Sequence, residues 1–277
     1  MTPRPCGPLR RILEALGAGI GVVVMLPLLC VPQFPLVGPI ARWALPVVCR
    51  RLVRALGLHV EQQGRMPAGG VLLLANHLSW LDIPILVSTC RCGFIAKREV
   101  AEWPLVGAWA KAFGVVFVDR TRRRDLLSSI PALEQALRAG RPMLVFAEGT
   151  TTVGDGVLPF KSSLVEAAVR ADVPVVPVTL LLASPSDDRQ ALAWVGNDTL
   201  LPNLRRVTRL REIQSRVVID PAVPSHPDRK QRTAAAHARV AERVGQSAIR
   251  SRLVKQNFRP MESSEREMER YRAIFSG

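Results

Sequence analysis

Aromatic residues are scarce in this chain of 277 residues: phenylalanine, tryptophan and tyrosine together make up 5%, and there is a single tyrosine. The formal net charge of +15 is typical of proteins that bind nucleic acid or an anionic membrane surface. Proteins that bind single-stranded nucleic acid stack its bases on aromatic side chains, which this chain largely lacks. We therefore expect an anionic membrane surface, and no nucleic acid, as a partner. Arginine supplies 33 of the 38 basic residues, a skew that genome composition alone can produce, so part of the charge is expected on ordinary solvated surface.

Cysteines in a metal-ligand spacing are also missing. The five cysteines are scattered and odd in number: Cys6, Cys30, Cys49, Cys90 and Cys92. Such a set indicates reduced thiols in a protein that faces the cytosol. We expect no metal site.

Charged residues are absent from residues 15–41, a stretch long enough to cross a bilayer as a helix. Prolines, which remove a hydrogen bond inside a helix, interrupt it at Pro27, Pro32, Pro35 and Pro39. We predict a membrane-associated helical hairpin with limbs at residues 9–31 and 40–56 and basic residues at both ends. A single spanning helix stays open as an alternative. A secretory signal is disfavoured, because no A-x-A cleavage site follows the apolar stretch.

Beyond the hairpin, short apolar runs alternate with stretches of helical spacing. The predicted strands are residues 71–75, 93–96, 115–119, 143–147, 173–182 and 217–219. The predicted helices are residues 83–90, 104–113, 125–140, 162–172 and 233–253. This alternation predicts an α/β domain with a mixed, mostly buried sheet flanked by helices. We divide the chain into the apolar and basic hairpin (1–58), the α/β domain (59–258) and a polar tail (259–277).

One predicted strand begins with VPVVPV, residues 173–178. Proline cannot donate a hydrogen bond to a ladder, so we expect this strand to lie at a sheet edge or to be irregular.

The stretch VLLLANHLSWLD places His77 and Asp82 five residues apart, directly after an apolar strand. In one continuous helix two such residues point in different directions, so they can interact only if His77 precedes the helix and folds back over its first turn. Asp82 would then fix the imidazole tautomer and leave the other ring nitrogen as a base. The alternative is that Asp82 or Ser79 only caps the helix and His77 is incidental. Sites gather at strand ends in α/β sheets, which slightly favours a function.

Two later segments also end in polar residues. GVVFVDR, residues 114–120, is a buried strand that leads into a cluster of arginines able to hold a phosphate or carboxylate, or simply a solvated basic turn. LVFAEGTT, residues 144–151, is a strand that ends at Glu148, where Gly149 allows a tight turn. GDGVLPFKS then brings Lys161 near the start of the next helix. An ordinary strand-turn-helix connection would look the same.

The order of these segments resembles the glycerolipid acyltransferases of the 1-acylglycerol-3-phosphate (lysophosphatidate) acyltransferase family. That family carries an N-H-x4-D block, a strand ending in Asp/Lys-Arg, an F-P-E-G-T-R block and a Val/Ile-Pro strand. NHLSWLD, GVVFVDR, FAEGTT and VPVVPV match these blocks in order, over residues 70–180. The segment AKREV, with PLVG after it, is similar to the family as well.

The resemblance implies that His77 is a general base, which takes the proton from a lysolipid hydroxyl as that oxygen attacks an acyl thioester. Asp82 would orient His77 and stabilise the imidazolium, as the carboxylate of a Ser-His-Asp triad does. The nucleophile is the substrate itself, so neither an acyl-enzyme, a metal nor a bound cofactor is implied. Acyl-CoA or acyl-acyl carrier protein would be the donor substrate, and backbone N–H groups the default donors to the oxyanion. The residues expected to bind the acceptor's polar head are Arg120, Glu148, Gly149, Thr150 and, outside the motif, Lys161.

Two positions depart from the family pattern. Thr151 stands where an arginine helps to hold the acceptor's phosphate, and Ala147 replaces a proline. With the GDG and VLPFKSSLVEAA segments, FAEGTT resembles the lyso-ornithine lipid acyltransferases within the family, whose acceptor is a zwitterionic aminolipid without a phosphate. We expect lyso-ornithine lipid as the acceptor, with lysophosphatidate as the alternative.

More distant alternatives are a thioester hydrolase, in which His77 activates water, and a non-catalytic lipid-binding protein. The intact pair of His77 and Asp82 argues against the second. As an enzyme of lipid biosynthesis, the protein is expected at the bacterial inner membrane with its catalytic domain facing the cytosol. Its expected partners are the lysolipid, the anionic membrane surface and, if it carries the donor, acyl carrier protein.

Overall fold

The structure, a computed structural model, describes residues 13, 16, 37–102, 110, 115–118, 127–184, 192–196, 198–210 and 213–256. In this part of the chain the strands are β1 Leu58–Gln63, β2 Leu72–Ala75, β3 Gly93–Lys97, β4 Val116–Val118, β5 Met143–Phe146, β6 Val175–Ala183 and β7 Ile213–Ile219. They form one sheet of seven strands in the order β1-β7-β6-β2-β5-β3-β4. Neighbouring strands are parallel, except for the antiparallel pair of β6 and β7.

Helices pack on both faces of the sheet. They are α1 Val37–Ala55, α2 Asp82–Cys90, α3 Ile130–Arg138, α4 Val165–Ala171, α5 Leu200–Arg209 and α6 Arg229–Gln256, with a 3-10 helix at Arg98–Glu102. One buried cluster packs Val53 of α1 and Ile85 of α2 against Leu73. A second cluster packs Leu133 of α3 against Leu72 on the opposite face. Successive residues of β2 therefore point to opposite faces and all are buried, which explains its uniformly apolar sequence. The predicted mixed α/β sheet flanked by helices is confirmed.

The centre of the sheet places three strand ends side by side. Strand β2 lies between β5 and β6 and runs parallel to both. The carboxyl ends of parallel strands meet at one edge of the sheet, which is where α/β proteins bind their ligands. The segments that leave β2 and β5, with His77 and Glu148, therefore emerge next to each other.

The expectation that the VPVVPV strand lies at an edge or is irregular is wrong, because β6 is an interior strand between β2 and β7. Pro177 lies just beyond the end of the antiparallel ladder, whose last pair is Val178 with Ile219. The carbonyl oxygen of Pro177 accepts a hydrogen bond of 3.1 Å from the N–H of Asp220. Since β7 has ended at this point, the missing N–H of the proline costs the sheet no ladder hydrogen bond.

Two elements are missing from the predicted set. Strand β1, LHVEQQ, is an edge strand whose second half is exposed, so its residues neither alternate nor form an apolar run. Helix α5, LLPNLRRVTR, carries a proline in its first turn, although Leu200, Leu204 and Val207 do recur at helical spacing. The predicted helix at residues 104–113 lies outside the described residues, apart from Ala110.

The second limb of the predicted hairpin is helix α1, which contains Pro46. The first limb and the turn lie outside the described residues, apart from Leu13 and Leu16, and so does the tail from residue 257. No helix in the described ranges is both long enough and apolar enough to cross a membrane. The hairpin as a whole and the domain boundaries stay predictions.

Three cysteines lie in the apolar region beneath α1 and α2. Cys49, Cys90 and Cys92 are buried free thiols. Burial raises the pKa of Cys49 and of Cys90 to about 12, so both thiols stay protonated at neutral pH. A protonated thiol is a poor nucleophile, and these residues therefore serve as core side chains.

Two glycines allow a controlled test of the β1–β7 end of the sheet. Gly64 and Gly69 have φ angles of +86° and +84°, so alanine is strained similarly at both. A Cβ at Gly64 would lie 2.1 Å from the carbonyl oxygen of Ile219, whereas nothing lies within 4 Å at Gly69. We expect Gly64→Ala to lower the free energy of unfolding by about 1–3 kcal/mol more than Gly69→Ala. Urea denaturation of both variants measures this difference, and equal losses would contradict the described packing.

Candidate active site

The pair of His77 and Asp82 is formed at the end of β2. His77 Nδ1 lies 2.7 Å from Asp82 Oδ2. A carboxylate can only accept hydrogen bonds, so Nδ1 carries the proton in this pair. The tautomer leaves Nε2 unprotonated, with a lone pair that can accept a proton from a substrate. No described residue forms a hydrogen bond with Nε2.

Asp82 shapes the loop that carries the histidine. Its side chain is fully buried, and its Oδ2 also accepts hydrogen bonds from the backbone N–H groups of Leu78 (2.6 Å) and Ser79 (2.9 Å). Burial of an ionised carboxylate is costly unless it is hydrogen-bonded, and these three donors offset that cost. We call residues 77–82 the histidine loop.

These contacts differ from those expected if Asp82 or Ser79 did no more than cap helix α2. Helix α2 begins at Asp82, and its N-cap, Leu81, makes no side-chain capping hydrogen bond. The carboxylate instead bonds backward, to the loop that precedes the helix. His77 therefore stands outside the helix and folds back over its first turn, which is the geometry that the spacing requires.

The imidazole ring is held on one face as well. It stacks on the ring of Phe146, the last residue of β5, with centroids 3.9 Å apart and an interplanar angle of 12°. The His77 side chain keeps 17% of its surface exposed. The ring is thus fixed by Phe146 and Asp82 while part of it faces the site. The stacking with Phe146 is a contact that sequence spacing does not reveal.

Glu148 binds the backbone of the histidine loop. Its Oε1 accepts a hydrogen bond from the N–H of His77 (2.7 Å), and its Oε2 accepts one from the N–H of Leu158 (2.9 Å). The residue is 2% exposed. Burial raises the pKa of Glu148 above its ordinary value, although the two backbone hydrogen bonds oppose this shift. These contacts give Glu148 a structural part in holding His77, and its role in binding an acceptor stays a prediction.

The other predicted binding residues surround the turn after Glu148. Gly149 has a φ of +76°, and a Cβ there would lie 2.6 Å from Nζ of Lys161. The Lys161 side chain therefore passes directly over this turn, and its backbone N–H donates to the carbonyl of Ala147 (2.8 Å). Thr150 is exposed in the same turn. Arg120 lies outside the described residues, and its placement at the site stays a prediction.

Thr151 is engaged by a segment that is remote in sequence. Its hydroxyl donates a hydrogen bond to the backbone carbonyl of Trp194. The residue that replaces the family's arginine is thus part of a contact within the protein.

Asn76 is a buried residue of the site that the sequence reasoning overlooks. Its side-chain amide donates to the carbonyl of Leu180 (2.9 Å) and accepts from the N–H of Leu180 (2.8 Å). The side chain therefore extends the pairing of β2 with β6 by one position and supports the start of the histidine loop. A buried asparagine directly after an apolar strand is the signal that could have revealed it.

A cavity opens beside the histidine loop. Its lining includes Leu78 of that loop, Leu180 and Leu182 of β6, Leu192, and Val244 of α6, together with the polar residues Asn76 and Ser247. Among the described residues, no group of three or more histidine, cysteine or acidic side chains is arranged to hold a metal ion.

Residues 57–181 match the family model described as acyltransferase. The chain is 36% identical over 209 residues to the lyso-ornithine lipid O-acyltransferase of Rhodobacter capsulatus, covering 73% of this chain and 75% of that protein. The chain belongs to the acyltransferase family. This acyltransferase is also 36% identical to the lyso-ornithine lipid O-acyltransferase of Pseudomonas aeruginosa, over 71% of the chain and 75% of that protein. It is 33% identical to the 1-acyl-sn-glycerol-3-phosphate acyltransferase of Neisseria meningitidis, over 58% of the chain and 64% of that protein.

A crystal structure of another protein shares this fold. The 1-acyl-sn-glycerophosphate acyltransferase of Thermotoga maritima superimposes with a TM-score of 0.60 and 20% identity, covering 91% of this chain and 97% of that chain. The predicted resemblance to the family is confirmed.

Replacing Glu148 tests its hold on His77. In Glu148→Gln only the carbonyl oxygen of the new side chain accepts, so the N–H of either His77 or Leu158 loses its partner. Because burial raises the pKa of Glu148, the wild-type carboxylate takes up a proton at a higher pH than an exposed glutamate. Protonation of Glu148 should therefore contribute to the loss of wild-type activity at acid pH, and the variant has no carboxylate at this position to protonate.

The measurement is the acid limb of the kcat/KM profile for acyl transfer. We expect a steeper limb in the wild type than in Glu148→Gln, which should also be slower at its optimum. Glu134→Gln, at a partly exposed ion pair on α3, is the matched control and should leave the profile unchanged. An identical acid limb in Glu148→Gln and the wild type would contradict the role of Glu148.

Proposed function

We propose that this acyltransferase moves a fatty acyl group from an acyl thioester to the hydroxyl of a lysolipid, and that lyso-ornithine lipid is its acceptor. The observation that carries the proposal is the hydrogen bond from His77 Nδ1 to the buried carboxylate of Asp82. It leaves Nε2 as the base at the carboxyl edge of the sheet. The family resemblance over residues 57–181 supplies the reaction class.

The reaction follows from these groups. Nε2 of His77 takes the proton of the acceptor hydroxyl while that oxygen attacks the thioester carbonyl carbon. Asp82 stabilises the imidazolium that forms, and a hydrogen bond already in place needs no reorganisation during this step. When the tetrahedral intermediate collapses, the C–S bond breaks and the imidazolium returns the proton to the leaving thiolate. The products are the acylated lipid and the free thiol of the donor, acyl-CoA or acyl-acyl carrier protein.

The cavity beside the histidine loop is the proposed slot for the acyl chain. Its leucine lining begins at Leu78, the residue after His77, so a chain lying in it would present its carbonyl end near the base. Burial of apolar chain surface is the main contribution that such a slot makes to binding.

The acceptor is proposed from the contacts of Thr151 and from the relatives. At a position where a phosphate-binding arginine is typical of the family, Thr151 instead holds Trp194. Lys161 crosses the turn after Glu148 and offers one cation, which suits the carboxylate of a zwitterionic aminolipid. The relatives from Rhodobacter capsulatus and Pseudomonas aeruginosa are named for lyso-ornithine lipid. Lysophosphatidate is the second candidate, and the relative from Neisseria meningitidis favours it.

Helix α1 supports the proposed association with an anionic membrane surface. Trp43 is 70% exposed, and the exposed positions of the same helix include Arg50, Arg51 and Arg54. An exposed tryptophan beside several cations is typical of a helix that lies in a membrane interface. We place the enzyme at the cytosolic face of the bacterial inner membrane, where its lysolipid acceptor is found.

Replacing His77 tests its role as the base. His77→Ala should lower acyl transfer by roughly 10²–10⁴-fold, which is the usual contribution of a general base. Folding and membrane binding should be unchanged, as measured by circular dichroism and sedimentation with membranes. His226→Ala, in the loop before α6, is the matched control and should keep full activity. A His77→Ala variant with near-normal transfer in washed membranes would contradict the mechanism.

A comparison of two lysolipids tests the proposed acceptor. Purified enzyme offered lyso-ornithine lipid and lysophosphatidate side by side should acylate lyso-ornithine lipid with the higher kcat/KM, whichever thioester donor is used. A preference for lysophosphatidate would replace the proposed acceptor but keep the reaction. Release of free fatty acid that is undiminished by either lysolipid would identify a thioester hydrolase and contradict the transfer reaction.

A further inference from the structure

A segment more than a hundred residues away in sequence lies against the histidine loop. We call residues 192–196 the strap. The backbone N–H of Trp194 donates to the carbonyl of Leu78 (2.9 Å), inside the histidine loop. The carbonyl of Trp194 accepts from the hydroxyl of Thr151. The strap is thus bonded on one side to the histidine loop and on the other to the turn that follows β5.

Asn203, on helix α5, joins the strap to the histidine loop a second time. It is fully buried. Its Nδ2 donates to the carbonyl of Ala193 (2.9 Å) and to Asp198 Oδ2 (3.1 Å), and its Oδ1 accepts from Nε1 of Trp80 (2.8 Å). Trp80 lies between His77 and Asp82 in the histidine loop. One amide therefore fixes the strap and the loop relative to each other.

The remaining contacts brace the same unit. Nε1 of Trp194 donates to the carbonyl of Asp198 (2.6 Å), and the side chain of Asp198 pairs with Arg206 of α5. The carbonyl of His77 accepts from the N–H of Thr152 (2.9 Å), next to Thr151. The peptide groups on either side of His77 and Leu78 are therefore held by residues from two distant segments.

A simple packing role does not require this arrangement. A buried asparagine on a surface helix costs free energy unless its amide is bonded, and Asn203 uses that amide on the histidine loop and the strap rather than within α5. Of the groups it reaches, Nε1 of Trp80 belongs to the histidine loop, whose geometry sets the direction of His77 Nε2, and the carbonyl of Ala193 belongs to the strap that is bonded to that loop. A misplacement of about 1 Å in such a group costs on the order of 10²-fold in rate.

We propose that Asn203 is a positioning residue for acyl transfer, which holds the histidine loop through Trp80 and through the strap that Thr151 also fastens. Thr151 thus acts on the direction of His77 and does not read the acceptor's head group. The inference rests on the proposed function, because it assigns these residues to the geometry of His77 as the base.

The test uses changes that remove single hydrogen bonds in the full-length enzyme. Trp80→Phe removes the indole N–H that donates to Oδ1 of Asn203. Thr151→Val removes the hydroxyl that donates to the carbonyl of Trp194. Asn203→Leu removes the whole side-chain amide. Thr151→Ser keeps the hydroxyl and serves as the conservative rescue. Thr208→Val, at an exposed threonine of α5 whose hydroxyl donates to the carbonyl of Arg205, is the matched control for Thr151→Val.

We expect Trp80→Phe, Thr151→Val and Asn203→Leu to lower kcat by roughly 10–100-fold, with little change in KM for donor or acceptor. Thr151→Ser and Thr208→Val should retain wild-type kcat. The loss in Thr151→Val should be the same for lyso-ornithine lipid and lysophosphatidate. In a His77→Ala background, Asn203→Leu should cause no further loss, because a positioning residue acts only through the group that it positions.

Three results would overturn the proposal. One is wild-type kcat in both Trp80→Phe and Thr151→Val. Another is a change in KM for only one acceptor in Thr151→Val, which would show that position 151 reads the head group. The third is a further loss from Asn203→Leu in the His77→Ala background. Failure of the proposed function itself would be recognised separately, since His77→Ala alone would then retain acyl transfer.

Discussion

The buried carboxylate of Asp82 is the constraint on which the rest of the site depends. Its charge is removed from water completely, and the protein offsets this cost with three hydrogen bonds to a single oxygen. All three donors belong to residues 77–79, just before the helix. The bonds from these donors to Oδ2 bend the chain back over the first turn of α2, fix the tautomer of His77 and set the direction of its ring, while Oδ1 has no hydrogen-bond partner among the described residues. The geometry proposed for catalysis and the local stability of the loop have the same physical cause.

The parallel centre of the sheet supplies further contacts that hold this loop. Strand β2 runs between β5 and β6, so the chain leaving β2 meets Phe146 and Glu148 at the end of β5 on one side. On the other side Asn76 extends the pairing with β6 through both backbone groups of Leu180. Farther out, the strap and Asn203 close over the same loop. The base is thus located by contacts from segments that are distant from it in the chain, which is typical of sites at the carboxyl edge of α/β sheets.

Local chemistry explains which features the sequence predicts. The interior strands β2 and β5 are uniformly apolar because both of their faces are covered, and the spacing of His77 and Asp82 requires a loop before the helix. Strand β1 is not predicted because it is a half-exposed edge strand. The position of β6 is predicted wrongly because the rule for proline concerns its ladder with β7, which begins at Val178, one residue after Pro177. The stacking on Phe146 and the contacts of Asn203 join residues distant in sequence, and no local pattern encodes them. The motif therefore predicts the base and its carboxylate, and only the tertiary structure reveals what orients them.

In the proposed mechanism Asp82 holds His77 with its proton on Nδ1 and its lone pair on Nε2. The chain has four histidines, so a protein labelled with 15N at histidine gives a spectrum simple enough to assign by comparison with His77→Ala. The 15N chemical shifts at neutral pH report directly which ring nitrogen carries the proton. We expect a protonated Nδ1 and an unprotonated Nε2 for His77, with this preference lost in Asp82→Asn. A protonated Nε2 in the wild-type enzyme would contradict it, because that nitrogen could not then take the proton from an acceptor hydroxyl.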